Sequence, residues 1–186
     1  MGEQGKRISE AKDTLETIST WINNCDTKAG TILALLGIIL TLVFTNDGIK
    51  LAYIIVQKAV QSKTFSDIFY LLVWGCTFLT LLYGLYSLIS VLIGRIDRKI
   101  YKQQGLTIDS RIFFGAISDN ATYQEFKQKV LDASEESYIN DLLSQIYINS
   151  KIANQKFKNY NRGLKISIIG FALFIIMFLL GVYIYI

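Results

Sequence analysis

From Ala11 onward the apolar and small residues recur at alternating steps of four and three: Ala11, Leu15, Ile18, Ile22, Cys25 and Ala29. Such spacing predicts a helix with one narrow seam, suited to packing against a second helix. Past Asn23, Asn24, Asp26, Thr27 and Lys28 the pattern gives way to an apolar run, and the helix is expected to continue into a first membrane span over residues 29–45. A charge at the bilayer centre costs on the order of 3 kcal/mol, which places Asp26 and Lys28 at the headgroup boundary. Gly30, Ala34 and Gly37 share one face of this span and predict a close helix contact. Asn46–Asp47–Gly48 reads as a turn opening an external loop, 46–66. The apolar, lysine-punctuated stretch behind it is too short to cross and reads as an interfacial helix, with a strand over 51–56 as the alternative.

The next apolar run, 67–94, is the second span. At 1.5 Å per residue it is about 40 Å long, so it must tilt or emerge early. Along it Cys76, Thr80, Gly84 and Ser87 make a small, weakly polar stripe, which serves helix packing or, in an oligomer, a pore lining. Arg95, Arg98, Lys99 and Lys102 form a basic exit into a polar region, 95–165, with a helix signal from Thr122 to Leu131. Asp132, Glu135 and Glu136 read as the solvated first turn of a long helix. Its seam is drawn through Ile139, Leu142, Ile146, Ser150, Ala153, Phe157, Tyr160 and Leu164, and it feeds a third span over 166–186. The fold class that follows is an all-α membrane protein: three transmembrane helices whose cytoplasmic extensions, 1–28 and 95–165, form a membrane-proximal bundle.

Composition agrees with lipid rather than water as the main solvent, since 52% of residues are hydrophobic and only 18% charged. The net charge of +4 does not call for a nucleic acid polymer, because most basic residues flank apolar spans. Lysine and arginine number four in 1–28, three in 46–66, twelve in 95–165 and none in 166–186. The positive-inside rule therefore puts the N-terminus in the cytoplasm and the C-terminus outside. No leader is expected, since about 28 polar residues precede the first apolar run. Without histidine and with two separated cysteines, neither a metal site nor a disulfide is expected, and no cofactor is called for.

No catalytic arrangement is visible: there is no histidine base, no phosphate-cradling glycine loop and no carboxylate pair at a defined spacing. The chain is therefore expected not to be an enzyme. Two polar clusters remain, each just cytoplasmic of a span. Trp21, Asn24, Asp26 and Lys28 form one, and Asn149, Lys151, Lys156 and Phe157 the other. Amides can read a base edge, lysines can hold a phosphate and aromatic rings can stack on a base. Interfacial solubility, with snorkelling lysines and asparagines bonding between helices, is the more ordinary account of the same residues, and on the residues alone it is the favoured one. Lys156 falls about 13 Å above the membrane edge on the rod that enters the third span. Reversing its charge is expected to block a ligand response while leaving the fold intact.

The run WINNCDTKAGTILALLGIIL, with its Trp-Ile, Asp-x-Lys-Ala and following apolar span, resembles the opening of the Pycsar effector family. RIFFGAISDNATYQEF and DLLSQIYINSKIANQKF resemble the later family blocks in the same order, and Cys25 stands where a small residue such as alanine is usual. The resemblance implies a bacterial antiphage effector of the inner membrane. Its trigger would be a cyclic pyrimidine mononucleotide, cCMP or cUMP, made by a partner cyclase, and its output impaired membrane integrity and abortive infection. Membrane lipid and further copies of the chain are the other expected partners. A cyclic-oligonucleotide-gated effector of a CBASS-type system and a non-gated scaffold recruiting a soluble partner are the rival readings. The resemblance does not say which residues hold the nucleotide.

Overall fold

In a computed structural model residues 2–93 and 103–186 are described, so the basic exit Arg95, Arg98, Lys99 and Lys102 lies outside them. Six helices follow in order: α1 Glu3–Val43, α2 Asn46–Ser62, α3 Phe65–Leu92, α4 Phe114–Ser118, α5 Tyr123–Leu131 and α6 Glu135–Tyr185. Among the described residues there is no strand, and the fold is all-α. Three of the helices, α1, α3 and α6, are long and apolar enough to cross a membrane. The chain forms two compact units, a polar one of Met1–Cys25 with Gly94–Lys156 and an apolar one of Asp26–Ile93 with Phe157–Ile186. Both α1 and α6 pass from one unit to the other without a break.

Small residues set the geometry of the apolar unit. A Cβ placed on Gly84 of α3 would stand 2.5 Å from the backbone nitrogen of Ser167 on α6. One on Gly163 would stand 2.8 Å from the Leu88 nitrogen, and one on Gly170 2.7 Å from the Leu81 nitrogen. The pairings run in opposite senses along the two helices, so α3 and α6 are antiparallel and touch backbone to backbone. In lipid this closeness replaces the hydrophobic drive that water would supply. Asn159 Nδ2 donates to Ser90 Oγ at 3.1 Å, an asparagine bonding between helices. Further along, Trp74 and Phe78 of α3 pack their rings on Phe174 of α6, with Phe44 stacked on the same residue.

The segment over 46–62 is helical rather than a strand. The Thr45 hydroxyl caps α2 by accepting from the Gly48 N–H at 3.2 Å. Ile55 and Ala59 of α2 are fully buried, and Ile55 lies against Gly181. Lys63 ends the helix in the left-handed conformation, at φ 53°. The Lys58 ammonium donates to the Tyr185 carbonyl at the end of α6, satisfying an orphan acceptor and opposing the helix dipole. Asp67 accepts from the hydroxyls of Ser62, Thr64 and Tyr185, which ties the α2–α3 turn to the same end.

Candidate functional site

Within the polar unit the segment ahead of α4 is pinned to α6 by two of that helix's side chains. Ser144 Oγ accepts from the Thr107 N–H at 3.0 Å, and Asp141 Oδ2 accepts from the Arg111 N–H at 2.8 Å. Between them Ser110, nearly fully buried, folds the chain tightly by accepting from the N–H groups of Ile112 and Phe113. Asp141 is wholly buried, and its Oδ1 finds no hydrogen-bond partner among the described residues. A bond from an N–H to a carboxylate contributes about 1.5–3 kcal/mol, while an orphaned buried oxygen takes back a comparable amount. Asp141 thus fixes position more than it adds stability.

What it positions is Arg111. With the Arg111 backbone held by Asp141, its guanidinium reaches one turn back along α6 and donates to Ser137 Oγ at 2.9 Å. Among the described residues that hydroxyl is its only hydrogen-bond partner, and no carboxylate pairs with it. A guanidinium carries five N–H donors, so most of them stay available. Two cavities are each lined by this side chain. One, of about 240 Å³, is lined by Asp109, Arg111, Lys129, Asp132, Ala133 and Ser137. The other, of about 280 Å³, is lined by Arg111, Val130, Ala133, Ser134, Glu135 and Tyr138. Lys129 is already engaged, 3.0 Å from Asp109 and 3.8 Å from Glu125. The Lys12 ammonium stands 5.5 Å from the centroid of the Tyr138 ring. The cleft therefore offers a guanidinium with no carboxylate partner among the described residues, an aromatic ring and two serine hydroxyls, bordered by carboxylates.

The residues singled out from sequence are distributed differently. On α1, Trp21, Asn24 and Lys28 are exposed and Asp26 is half-buried. On α6, Lys151 is exposed with its ammonium 5.2 Å from the Tyr147 ring, while Asn149 and Phe157 are half-buried. Neither these seven nor Lys156 lines a cavity around Arg111. Gly84 is packed as described, whereas an added Cβ on Gly30 or Gly37 would meet nothing within 4 Å, and Ala34 is exposed. Of the α3 stripe, Gly84 and Ser87 are buried but Cys76 is exposed.

Lys156 departs from its expected setting: it is only 9% exposed and has interactions with its surroundings. Charge reversal there is no longer a clean test of ligand binding. Lys156→Glu is expected to destabilise the protein by on the order of 2–3 kcal/mol even without nucleotide, because it breaks the interactions of a nearly buried side chain and puts a carboxylate in its place. Thermal unfolding of the detergent-solubilised protein checks this, and a melting temperature equal to the parent's would contradict it.

Comparison with known proteins adds the family. The Pycsar effector protein domain matches residues 10–183. The Pycsar effector protein GmPycTM of Gulbenkiania mobilis is 34% identical over 177 residues, covering 90% of this chain and 89% of the relative. No solved structure matches the chain. With three helices able to cross a bilayer and a family match over nearly its whole length, the chain is a membrane protein and belongs to the Pycsar effector family of antiphage defence proteins.

Proposed function

We propose that this protein is a nucleotide-gated effector of the bacterial inner membrane. A cyclic pyrimidine mononucleotide from a partner cyclase binds the polar unit, and the spans respond by compromising the membrane and halting the infected cell. It performs no chemistry on its ligand. What supports the reading is the family match together with the continuity of α1 and α6, 41 and 51 residues long, each joining the polar unit to a span without a break. A ligand that favours one packing of the polar unit shifts the spans by the difference in its affinity for the two states, with no flexible linker in α1 or α6 to absorb the change. Copies associate through the outward face of α1, where Gly30, Ala34 and Gly37 leave room for a neighbouring backbone. The decisive experiment is dye release from proteoliposomes on adding cUMP or cCMP. Release that is equal with and without nucleotide would sink the reading.

Orientation belongs to the same proposal, with both termini of the polar unit in the cytoplasm and the α2–α3 turn outside. Lys63 and Lys127 are exposed, so each can be exchanged for cysteine in a Cys76→Ser background. A membrane-impermeant thiol reagent applied to spheroplasts should label Lys63→Cys and leave Lys127→Cys unlabelled. Labelling of both from outside would remove the three-crossing topology.

A further inference from the structure

We infer that the cleft around Arg111 is the nucleotide site, and that its charge pattern selects a singly charged cyclic mononucleotide over polyanionic nucleotides. The inference rests on the functional reading above and adds a location and a selectivity that neither the family nor the sequence assigns. Four observations converge. Arg111 is held at both ends, its backbone N–H by Asp141 and its guanidinium by Ser137, yet the guanidinium has no carboxylate partner among the described residues. A fork fixed in this way is organised for two-point binding of phosphate oxygens. Tyr138, beside it, supplies a ring for the base, and its neighbour Lys12 adds positive charge.

Size is the third observation. The two cavities, about 240 and about 280 Å³, are each slightly below the range of about 300–1,000 Å³ typical of small-molecule sites, and Arg111 and Ala133 line both. That space suits one nucleotide and is small for a cyclic oligonucleotide, which separates this reading from the cyclic-oligonucleotide rival. Charge is the fourth. Asp109, Asp132 and Glu135 border the same cleft, and its lysine, Lys129, is already paired. A cyclic phosphodiester carries one negative charge, which one guanidinium can neutralise. A triphosphate brings three or more, and the surplus would face carboxylates at close range, where like charges repel by several kT. The cell's abundant nucleoside triphosphates are thereby excluded.

The test uses full-length protein in detergent and measures binding of cUMP, cCMP, UTP and a cyclic dinucleotide by calorimetry. Wild type should bind a cyclic pyrimidine mononucleotide at least tenfold more tightly than UTP. Arg111→Gln should weaken that binding at least tenfold, and Arg111→Lys by less, since the point charge survives and the fork does not. Lys127→Gln, the same loss of charge on the exposed face of α5, should bind as wild type does. Asp132→Asn, a conservative change at an exposed position, should raise UTP affinity at least threefold and keep the site testable should the Arg111 variants fail to fold. If wild type binds a mononucleotide but Arg111→Gln binds it equally, the location is wrong and the functional reading stands. Unchanged UTP affinity in Asp132→Asn overturns the charge selectivity, and a wild type that binds no mononucleotide overturns both readings together.

Discussion

Gly84→Leu is expected to unfold the apolar unit under conditions the parent withstands, whereas Gly37→Leu is expected to weaken association between copies while leaving the packing of α3 on α6, and so the melting of the dissociated protein in detergent, unchanged. The difference comes from what each glycine faces. At Gly84 even a single Cβ would come within 2.5 Å of Ser167 backbone nitrogen and hydroxyl, and neither helix backbone can give way without separating along its length. At Gly37 an added Cβ meets nothing within 4 Å. Overpacking a well-filled contact costs about 1–3 kcal/mol per modest insertion, and four added carbons against a backbone belong above that range. Nothing in lipid compensates, because tails solvate leucine as well as a neighbouring helix does. Gly163→Leu and Gly170→Leu should resemble Gly84→Leu, since each meets a backbone nitrogen of α3 at under 3 Å. Thermal unfolding in detergent reads all four variants. If Gly84→Leu melted within about 2 °C of the parent, close packing of α3 on α6 along this line would be wrong.

The same contact marks where the sequence stops being readable by periodicity. In the polar half of α1 the seam is legible: Ala11, Ile18, Cys25 and Ala29 are buried, and Leu15 and Ile22 half-buried. Water surrounds that segment, so apolar residues mark the side turned away from it. On α6 the predicted seam is buried at Leu142 and Ala153 and half-buried at Ile139 and Ile146, but it breaks at Ser150 and gives way past Ala153. Ser150 is exposed, Phe157, Tyr160 and Leu164 are only half-buried, and the buried line runs instead through Lys156, Gly163, Ser167 and Gly170. Crossing into lipid inverts the rule, because large apolar side chains then face the solvent and small ones mark the contact. The Gly163, Ser167 and Gly170 spacing was present in the sequence, yet a search for apolar period cannot see it.

The Arg111 cleft was harder still to read. Asp132 and Glu135 look like an ordinary acidic helix start, and Arg111 lies in a mixed polar stretch without pattern. The one local signal is on α6, where Asp141, Ser144 and Gln145 are buried beside Leu142. Polar side chains on a core face need partners, and here the partners of Asp141 and Ser144 are loop N–H groups 30 and 37 residues upstream. The pattern could have shown that something docks there, but not which loop or which side chain it carries.

Asp141 gives that docking its most informative test. Asp141→Ala is expected to lower cyclic nucleotide affinity about tenfold while changing stability by no more than about 1 kcal/mol. The stability change is small because two effects oppose. Losing the Arg111 N–H bond to a carboxylate costs about 1.5–3 kcal/mol, but removing the orphaned Oδ1 relieves a penalty of similar size. Affinity has no such offset. Without Asp141 the Arg111 backbone is free to shift, and the guanidinium is left with Ser137 as its single anchor. Misplacing a binding group by about 1 Å can forfeit much of a charge-assisted bond. Asp141→Asn keeps an oxygen to accept from Arg111 and should therefore bind nucleotide nearly as the parent does. A purely structural role would move stability and affinity together in both variants. A positioning role separates them, with Asp141→Ala weak in binding at near-parental melting and Asp141→Asn restored. Parental affinity in Asp141→Ala would mean that the loop is held by Ser144 alone and that Arg111 needs no second anchor.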